Sequence, residues 1–193
     1  MRVIVTGATS FIGSHAVQAL VSQGFEVCAL IRPNSAGKKN LEQMIIKKEL
    51  LEIIECELSG LKELAVNAEK LSKIGQKWSH NLGRADYWLH LGWDGSGSDN
   101  RKLADIQSMN AVYALDALET AAAAHCKRFL FCGSQAEYGV RNTTMRETDE
   151  LHPLSEYGKA KAKVGREAIM RAEALGICLL YTSPSPRDRQ KSR

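Results

Sequence analysis

The sequence predicts an α/β fold: a doubly wound parallel sheet with helices on both faces. Three observations carry the prediction. Apolar runs of four to seven residues recur along the chain, amphipathic stretches of helical length separate them, and the first run ends in a glycine turn that opens straight into a helix. Strands covered on both faces read as near-continuous apolar runs, the pattern of a parallel sheet joined by crossover helices.

Taken in order, Arg2–Thr6 (RVIVT) is the first buried strand, ending at Gly7. Residues 11–23 follow as a helix, with Ile12, Ala16, Ala19 and Leu20 on one face, expected to meet the sheet, and Gly24 as its C-cap. Residues 25–31 (FEVCALI) make the second strand, 40–49 a weak helix, 51–56 (LEIIEC) the third strand, and 61–74 a helix with a polar end. The fourth strand, 86–91 (DYWLHL), leads into the glycine-rich loop GWDGSGSDN. Residues 102–124 form a long helix that sets Leu115, Leu118 and Ala122 at helical spacing. The fifth strand is 129–132 (FLFC), and a helix over 156–175 closes at Gly176.

At 193 residues there is room for one domain with a full core. The cysteines, Cys28, Cys56, Cys126, Cys132 and Cys178, are scattered, odd in number and without a C-x-x-C pair. That suits reduced thiols in a cytosol and argues against a disulfide framework or a zinc site. Cys28 and Cys132 lie in apolar runs and should pack as small hydrophobes. His15, His80, His125 and His152 form no spaced cluster, so no metal is expected. The apolar start before Gly7 is too short for a secretory leader, and no run reaches membrane-spanning length. A cytoplasmic protein without a membrane partner is expected. The net charge of +4 is 26 bases against 22 acids, but residues 178–193 hold four of those bases and one acid. The remainder, 22 against 21, has no electrostatic footprint for nucleic acid.

The stretch TGATSFIG after the first strand has the shape of a dinucleotide-binding turn. Gly7 allows the sharp bend and Gly13 lets the helix pack on the strand, while the helix N-terminus offers amides to a pyrophosphate. Ser10 stands where a glycine is usual; it is small and brings a hydroxyl. The plainer alternative is a tight turn with no ligand. About twenty residues on, where a carboxylate would bind a ribose 2′-hydroxyl, stands Arg32, with Lys38 and Lys39 close behind. A guanidinium can fork onto a 2′-phosphate, which favours NADP, with NAD still open; the alternative is a solvated arginine.

Tyr157 and Lys161 lie one helical turn apart in YGKAK and so share a face. Near a nicotinamide, an ammonium would favour the phenolate and bring the tyrosine pKa down from about 10 toward working pH. Ser134 follows the fifth strand, at the carboxyl edge where doubly wound sheets bind ligands. With HLGW at 90–93, Asn110 in QSMNAVYALDALETA, GSQAEYG at 133–139 and PLSEYGKAK at 153–161, the chain resembles the extended short-chain dehydrogenase/reductases, the NAD(P)-dependent epimerase/dehydratase family. The resemblance covers residues 1 to about 177 and implies a Rossmann fold.

The resemblance implies a catalytic triad of Ser134, Tyr157 and Lys161. Tyr157 would be the acid/base, Lys161 would hold the nicotinamide ribose and tune the tyrosine, and Ser134 would hydrogen-bond the reacting oxygen. Thr9, Ser10, Phe11, Ile12 and Gly13 would cradle the pyrophosphate, Glu57 and Leu58 would border the adenine, and Leu91 and Gly92 would line the cleft. Asn110 would support the lysine, through water or directly, or else be an ordinary solvated asparagine. His90 reads as structural. Dehydratases of the family resemble S-T-D-E-V-Y-G after the fifth strand; here Gln135 and Ala136 replace the acidic pair, which argues against a 4,6-dehydratase. An epimerase or a carbonyl reductase acting on a nucleotide sugar remains. A regulatory relative that binds NAD(P)H without turnover is the alternative. The family's pairing through two helices per subunit implies a homodimer of the complete protein through 102–124 and 156–175.

The chain closes in ICLLYTSPSPRDRQKSR. Read back into codons, CLLYTSPSPRD resembles the read-through of a transposase adapter used in preparing sequencing libraries. The expectation is therefore a cofactor-binding domain over 1–177 and a non-native tail over 178–193, with the substrate-binding C-terminal region missing and little activity. A natural disordered tail is the alternative.

Overall fold

The computed structural model describes residues 1–64, 84–141 and 145–182. Within them six strands form one parallel sheet: β1 (Arg2–Thr6), β2 (Glu26–Ile31), β3 (Leu51–Glu55), β4 (Tyr87–His90), β5 (Arg128–Cys132) and β6 (Cys178–Thr182). Their spatial order is β3-β2-β1-β4-β5-β6. The helices are α1 (Phe11–Ser22), α2 (Lys38–Met44), α3 (Ala104–Ala123) and α4 (Glu156–Leu175). The doubly wound fold expected from the sequence is the fold observed.

Alternation along β1 divides the core in two. Val3 and Val5 pack with Val17 and Val21 of α1 and Leu41 of α2, whereas Ile4 enters the opposite layer with Leu115 and Leu118 of α3 and Val164 and Ala168 of α4. The chain leaves β1 for β2 and β3, then crosses back to β4 on the other side of β1. The carboxyl ends of β1 and β4 therefore diverge into a crevice, the place where such sheets take ligands.

The buried face of α1 differs from the expectation. Gly13, Val17 and Val21 face the sheet, while Ile12 is 65% exposed and Ala19 is exposed too. The cause is Gly13: any Cβ there would stand 2.1 Å from the Gly7 carbonyl oxygen, so the helix is turned with its bare edge against β1. The second helix spans Lys38–Met44 rather than 40–49, because Ile45 turns extended (φ −94°, ψ 118°) and buries itself beneath α1. A 3-10 turn at Lys48–Leu50 precedes β3. Of the helix expected over 61–74, residues 61–64 are helical and 65–74 lie outside the described residues. The last helix matches its expected bounds, with Ser155 capping the Gly158 amide and Gly176 in the left-handed conformation (φ +66°) at its end. The apolar residues 178–182 form β6 beside β5, and Tyr181 stacks on Phe131 at 5.7 Å.

Candidate active site

The glycine turn closes the floor of the crevice. Gly7 sits at φ +69°, and a Cβ on it would lie 2.8 Å from the Gly92 nitrogen and the Leu91 carbonyl group, so β1 and β4 approach here as backbone on backbone. Ser10 caps α1, its Oγ accepting the Gly13 amide at 3.0 Å, which leaves its O–H to donate. No acidic residue stands in the first turn of α1 to repel an anion. The amides of Phe11 and Ile12 precede any intrahelical acceptor and are the natural partners for one. Their side chains point to solvent, so any part these two residues play is played by backbone.

Gly7, Thr9, Ser10, Arg32, Leu58, Leu91 and Gly92 line a single cavity over this turn. Gly13 lies buried behind it as the packing contact. Glu57 is exposed beside the cavity and does not line it; it starts a 3-10 turn whose first residue, Leu58, points inward instead. Arg32 stands at the rim, 3.5 Å from Asp94. Near it Thr9 Oγ1 and Ser35 Oγ share a hydrogen bond at 2.9 Å. Lys38 is committed elsewhere, to Glu55 at 2.8 Å, and that partner raises its pKa.

The second half of the site is an interlock between the end of β5 and the start of α4. Residues Gln135–Glu137 form a 3-10 turn capped by Ser134, whose Oγ accepts the Ala136 amide. A Cβ on Gly158 would meet the Ala136 carbonyl oxygen at 2.4 Å. That bare position lets α4 lie directly on the turn, and it brings Tyr157 near enough to the Ser134 hydroxyl for that group to lower its pKa. Lys161 Nζ donates to the Cys132 carbonyl at 2.9 Å and lies 3.6 Å from the Trp93 ring centroid and 5.8 Å from that of Tyr157. Ser134, Tyr157 and Lys161 are thus brought together.

Electrostatics depart from the expectation. Burial holds the Tyr157 pKa above its ordinary value, with the Ser134 hydrogen bond and the Arg101 guanidinium opposing. Lys161 is itself pushed down to about 7 by burial. The cation over the tyrosine ring is Arg101, 4.8 Å from its centroid, rather than the lysine alone. A lysine buried against Trp93 and Phe131 loses hydration, so its charge is not a fixed lever on its neighbour.

Asn110 does not reach the lysine. Its Oδ1 accepts the Asp94 amide at 2.8 Å and its Nδ2 donates to the Asp94 carbonyl at 2.7 Å, so both ends of the amide are spent on the loop after β4. Trp93, which extends over Lys161, is held by Gln107 through its indole N–H at 2.8 Å. Trp93, Arg101 and Glu137 were not found as site residues from the sequence; Trp93 and Glu137 lie inside quoted motifs, HLGW and GSQAEYG. His90 is fully buried between Phe129 and Phe131, accepts or donates at Nδ1 to Thr6 Oγ1, and is driven to a pKa of about 3, fitting a structural part. Among the described residues no group of three or more His, Cys, Asp or Glu could hold a metal ion, and no helix is long and apolar enough to cross a membrane.

The NAD dependent epimerase/dehydratase family profile matches residues 3–185. A UDP-glucose 4-epimerase from Oryza sativa subsp. japonica is 29% identical over 164 residues, 82% of this chain and 42% of that protein. The solved UDP-glucose 4-epimerase of Brucella ovis in complex with NAD superposes with a TM-score of 0.75 at 18% identity, over 94% of this chain and 51% of that one. The dTDP-glucose 4,6-dehydratase DesIV of Streptomyces venezuelae, with NAD and TYD bound, gives 0.77 at 21% identity, over 95% and 55%. The chain spans about half the length of the curated relatives it matches.

Proposed function

The chain belongs to the NAD-dependent epimerase/dehydratase family, and from that premise we propose that it is the cofactor half of an NADP-dependent epimerase or carbonyl reductase of a nucleotide sugar. The observation that carries the proposal is the meeting of Ser134, Tyr157 and Lys161 against Trp93, a residue that also lines the cavity over the glycine turn. The residues fit a dinucleotide: Gly7 and Gly92 present bare backbone to the cavity, and Leu58 supplies an apolar wall.

When bound, the nicotinamide supplies or accepts the hydride. The protein's share is to hold and move the proton. Ser134 would donate to the substrate oxygen, and Tyr157 would exchange a proton with it. Lys161 would hold the ribose. Arg32, at the rim beside Thr9 and Ser35, supports NADP over NAD. The relatives include a UDP-glucose 4-epimerase and a dTDP-glucose 4,6-dehydratase. Gln135 and Ala136 in the turn after Ser134 support the first reaction type, because neither side chain can serve as acid or base.

The test is Tyr157→Phe in the complete protein, supplied with UDP-, GDP- and dTDP-hexoses and followed by NMR of the anomeric protons. Turnover should fall by about 10²-fold or more while NADPH affinity stays within a few-fold. Turnover indifferent to the substitution, or none with any of these sugars alongside tight NADPH binding, would favour the regulatory reading.

A further inference from the structure

Glu137 has no part in the chemistry described so far, yet it is one of two buried carboxylates among the described residues. The other, Asp116, has Lys62 as an ion-pair partner at 2.7 Å. Glu137 is turned inward instead. Its Oε1 accepts a hydrogen bond from the Ser134 amide and its Oε2 accepts one from the Tyr181 hydroxyl. It folds beneath Gly133, where a Cβ would come within 2.9 Å of Oε1. Two residues back, the Cys132 carbonyl receives the Lys161 ammonium. The Cys132–Gly133–Ser134 segment is therefore held at its carbonyl end by a cation and at its amide end by an anion.

We propose that Glu137 is a positioning residue of the acid/base site: with Lys161 it clamps the Gly133 turn from both ends, aims the Ser134 hydroxyl at Tyr157, and serves as the counter-charge that keeps Lys161 protonated. The inference rests on the proposed roles of Ser134, Tyr157 and Lys161. The groups facing the carboxylate are Ser134 from its own turn, Lys161 and Tyr157 from α4, and Tyr181 from β6; the Cys132 thiol at the end of β5 adjoins both Lys161 and Tyr157. Burial lifts the Glu137 pKa to about 7, against the Ser134 amide and Lys161. Burial lowers that of Lys161 to about 7, against Cys132 and Glu137. Each thus draws the other toward its charged form. A carboxylate that served only to cap the turn would have no hold on the lysine.

The experiment follows the Lys161 side-chain carbon resonance against pH in the 193-residue chain, assigned with Lys161→Met. In Glu137→Gln the amide oxygen still accepts from Ser134, so the backbone resonances of the turn should stay in place. The Lys161 midpoint should fall by about one pH unit, tenfold in protonation ratio. A folded Glu137→Gln chain whose Lys161 midpoint moves by less than about 0.3 unit, a twofold change, overturns the proposal. If Glu137→Gln does not fold, the coupling is read from the other side: Lys161→Met should raise the Glu137 midpoint, and no rise overturns the proposal equally. NADPH and NADH titrations of the same samples keep the two readings apart, since failure to bind either dinucleotide would count against the proposed function while the Lys161 shift remains measurable.

Discussion

Gly13→Ala tests the contact that shapes the glycine turn. A Cβ at Gly13 would stand 2.1 Å from the Gly7 carbonyl oxygen, 2.9 Å from Ser10 Oγ and 3.0 Å from Ala8 Cα. Helix propensity by itself favours alanine by about 1 kcal/mol. The clash runs the other way. Carbon and oxygen rest no closer than about 3.3 Å, so α1 must retreat by roughly an ångström or the Gly7 peptide must rotate. Gly7 has little room to move, being at φ +69° with the Gly92 and Leu91 backbone so near that a Cβ on it would stand 2.8 Å from them. Overpacking of this kind costs about 1–3 kcal/mol, and loss of the Ser10 cap on Gly13 adds about 1 kcal/mol. Set against the propensity gain, the net is a destabilisation of roughly 1–3 kcal/mol. Urea denaturation followed by circular dichroism measures it. Gly97→Ala is the comparator, because a Cβ there meets nothing within 4 Å, and it should change stability by less than about 0.5 kcal/mol. The retreat of α1 should also weaken NADPH binding. A Gly13→Ala chain as stable as the parent, with unaltered NADPH affinity, would refute the reasoning.

Three further outcomes are expected. The His90 pKa of about 3 lies below the ordinary 6.5, so the unfolded chain takes up a proton that the folded one refuses. Stability from this residue is complete above pH 6.5 and falls toward pH 3, by up to about 1.4 kcal/mol per pH unit; His90→Phe should flatten that slope in urea titrations, and an unchanged slope contradicts the assignment. Burial lifts the Cys28 and Cys126 thiols to about 12, whereas Cys178 is exposed, so a chromogenic disulfide reagent should modify Cys178 in the native chain and reach the other two only in denaturant. Arg32→Ala should cost NADPH affinity roughly tenfold or more and leave NADH affinity little changed, while Asp94→Asn, which frees Arg32, should strengthen NADPH binding; equal losses for both dinucleotides would remove Arg32 from the 2′-phosphate.

The strands were legible in the sequence because a two-sided sheet demands apolar residues at nearly every position, and only a buried strand reads like RVIVT or FLFC. The long last helix was legible at both ends because Ser155 and Gly176 are strong local signals. The face of α1 was not. Apolar spacing favoured Ile12 and Leu20, but the rotation is set by the absence of a side chain at Gly13, which a count of hydrophobic residues does not weigh. The triad's meeting could be anticipated from spacing and resemblance, yet the sign of the tyrosine shift could not, since it depends on how deeply α4 sinks against Trp93 and Phe131. Glu137 escaped because a glutamate in a polar loop reads as solvated. The hold of Asn110 on Asp94 was not legible, because the partner is the backbone of a loop with no sequence signature of its own.

The direction of those shifts bears on which half of the proposed chemistry the site is ready for. A phenol held above its ordinary pKa is protonated throughout the neutral range, so on the proposed mechanism Tyr157 would be ready to donate as a carbonyl is reduced. Oxidation of a sugar hydroxyl, the opening step of an epimerisation, needs the opposite form, and burial opposes it. The Ser134 hydroxyl and the Arg101 guanidinium favour the phenolate, while Glu137 and Cys132 oppose it; Lys161, 5.8 Å from the ring centroid, is the remaining cation nearby. Lys161, lowered to about 7, is charged only in part near neutral pH, and its share is raised by Glu137. If both directions are to run in one active site, the lysine must stay charged while the phenolate forms. On the proposed mechanism Glu137 would act on the phenolate in two opposed ways, directly by its own charge and through the charge it maintains on Lys161. Where the hold on Lys161 outweighs that direct repulsion, a Glu137→Gln variant of the complete protein should lose oxidation more steeply than reduction, and equal losses in both would return Glu137 to a purely structural part.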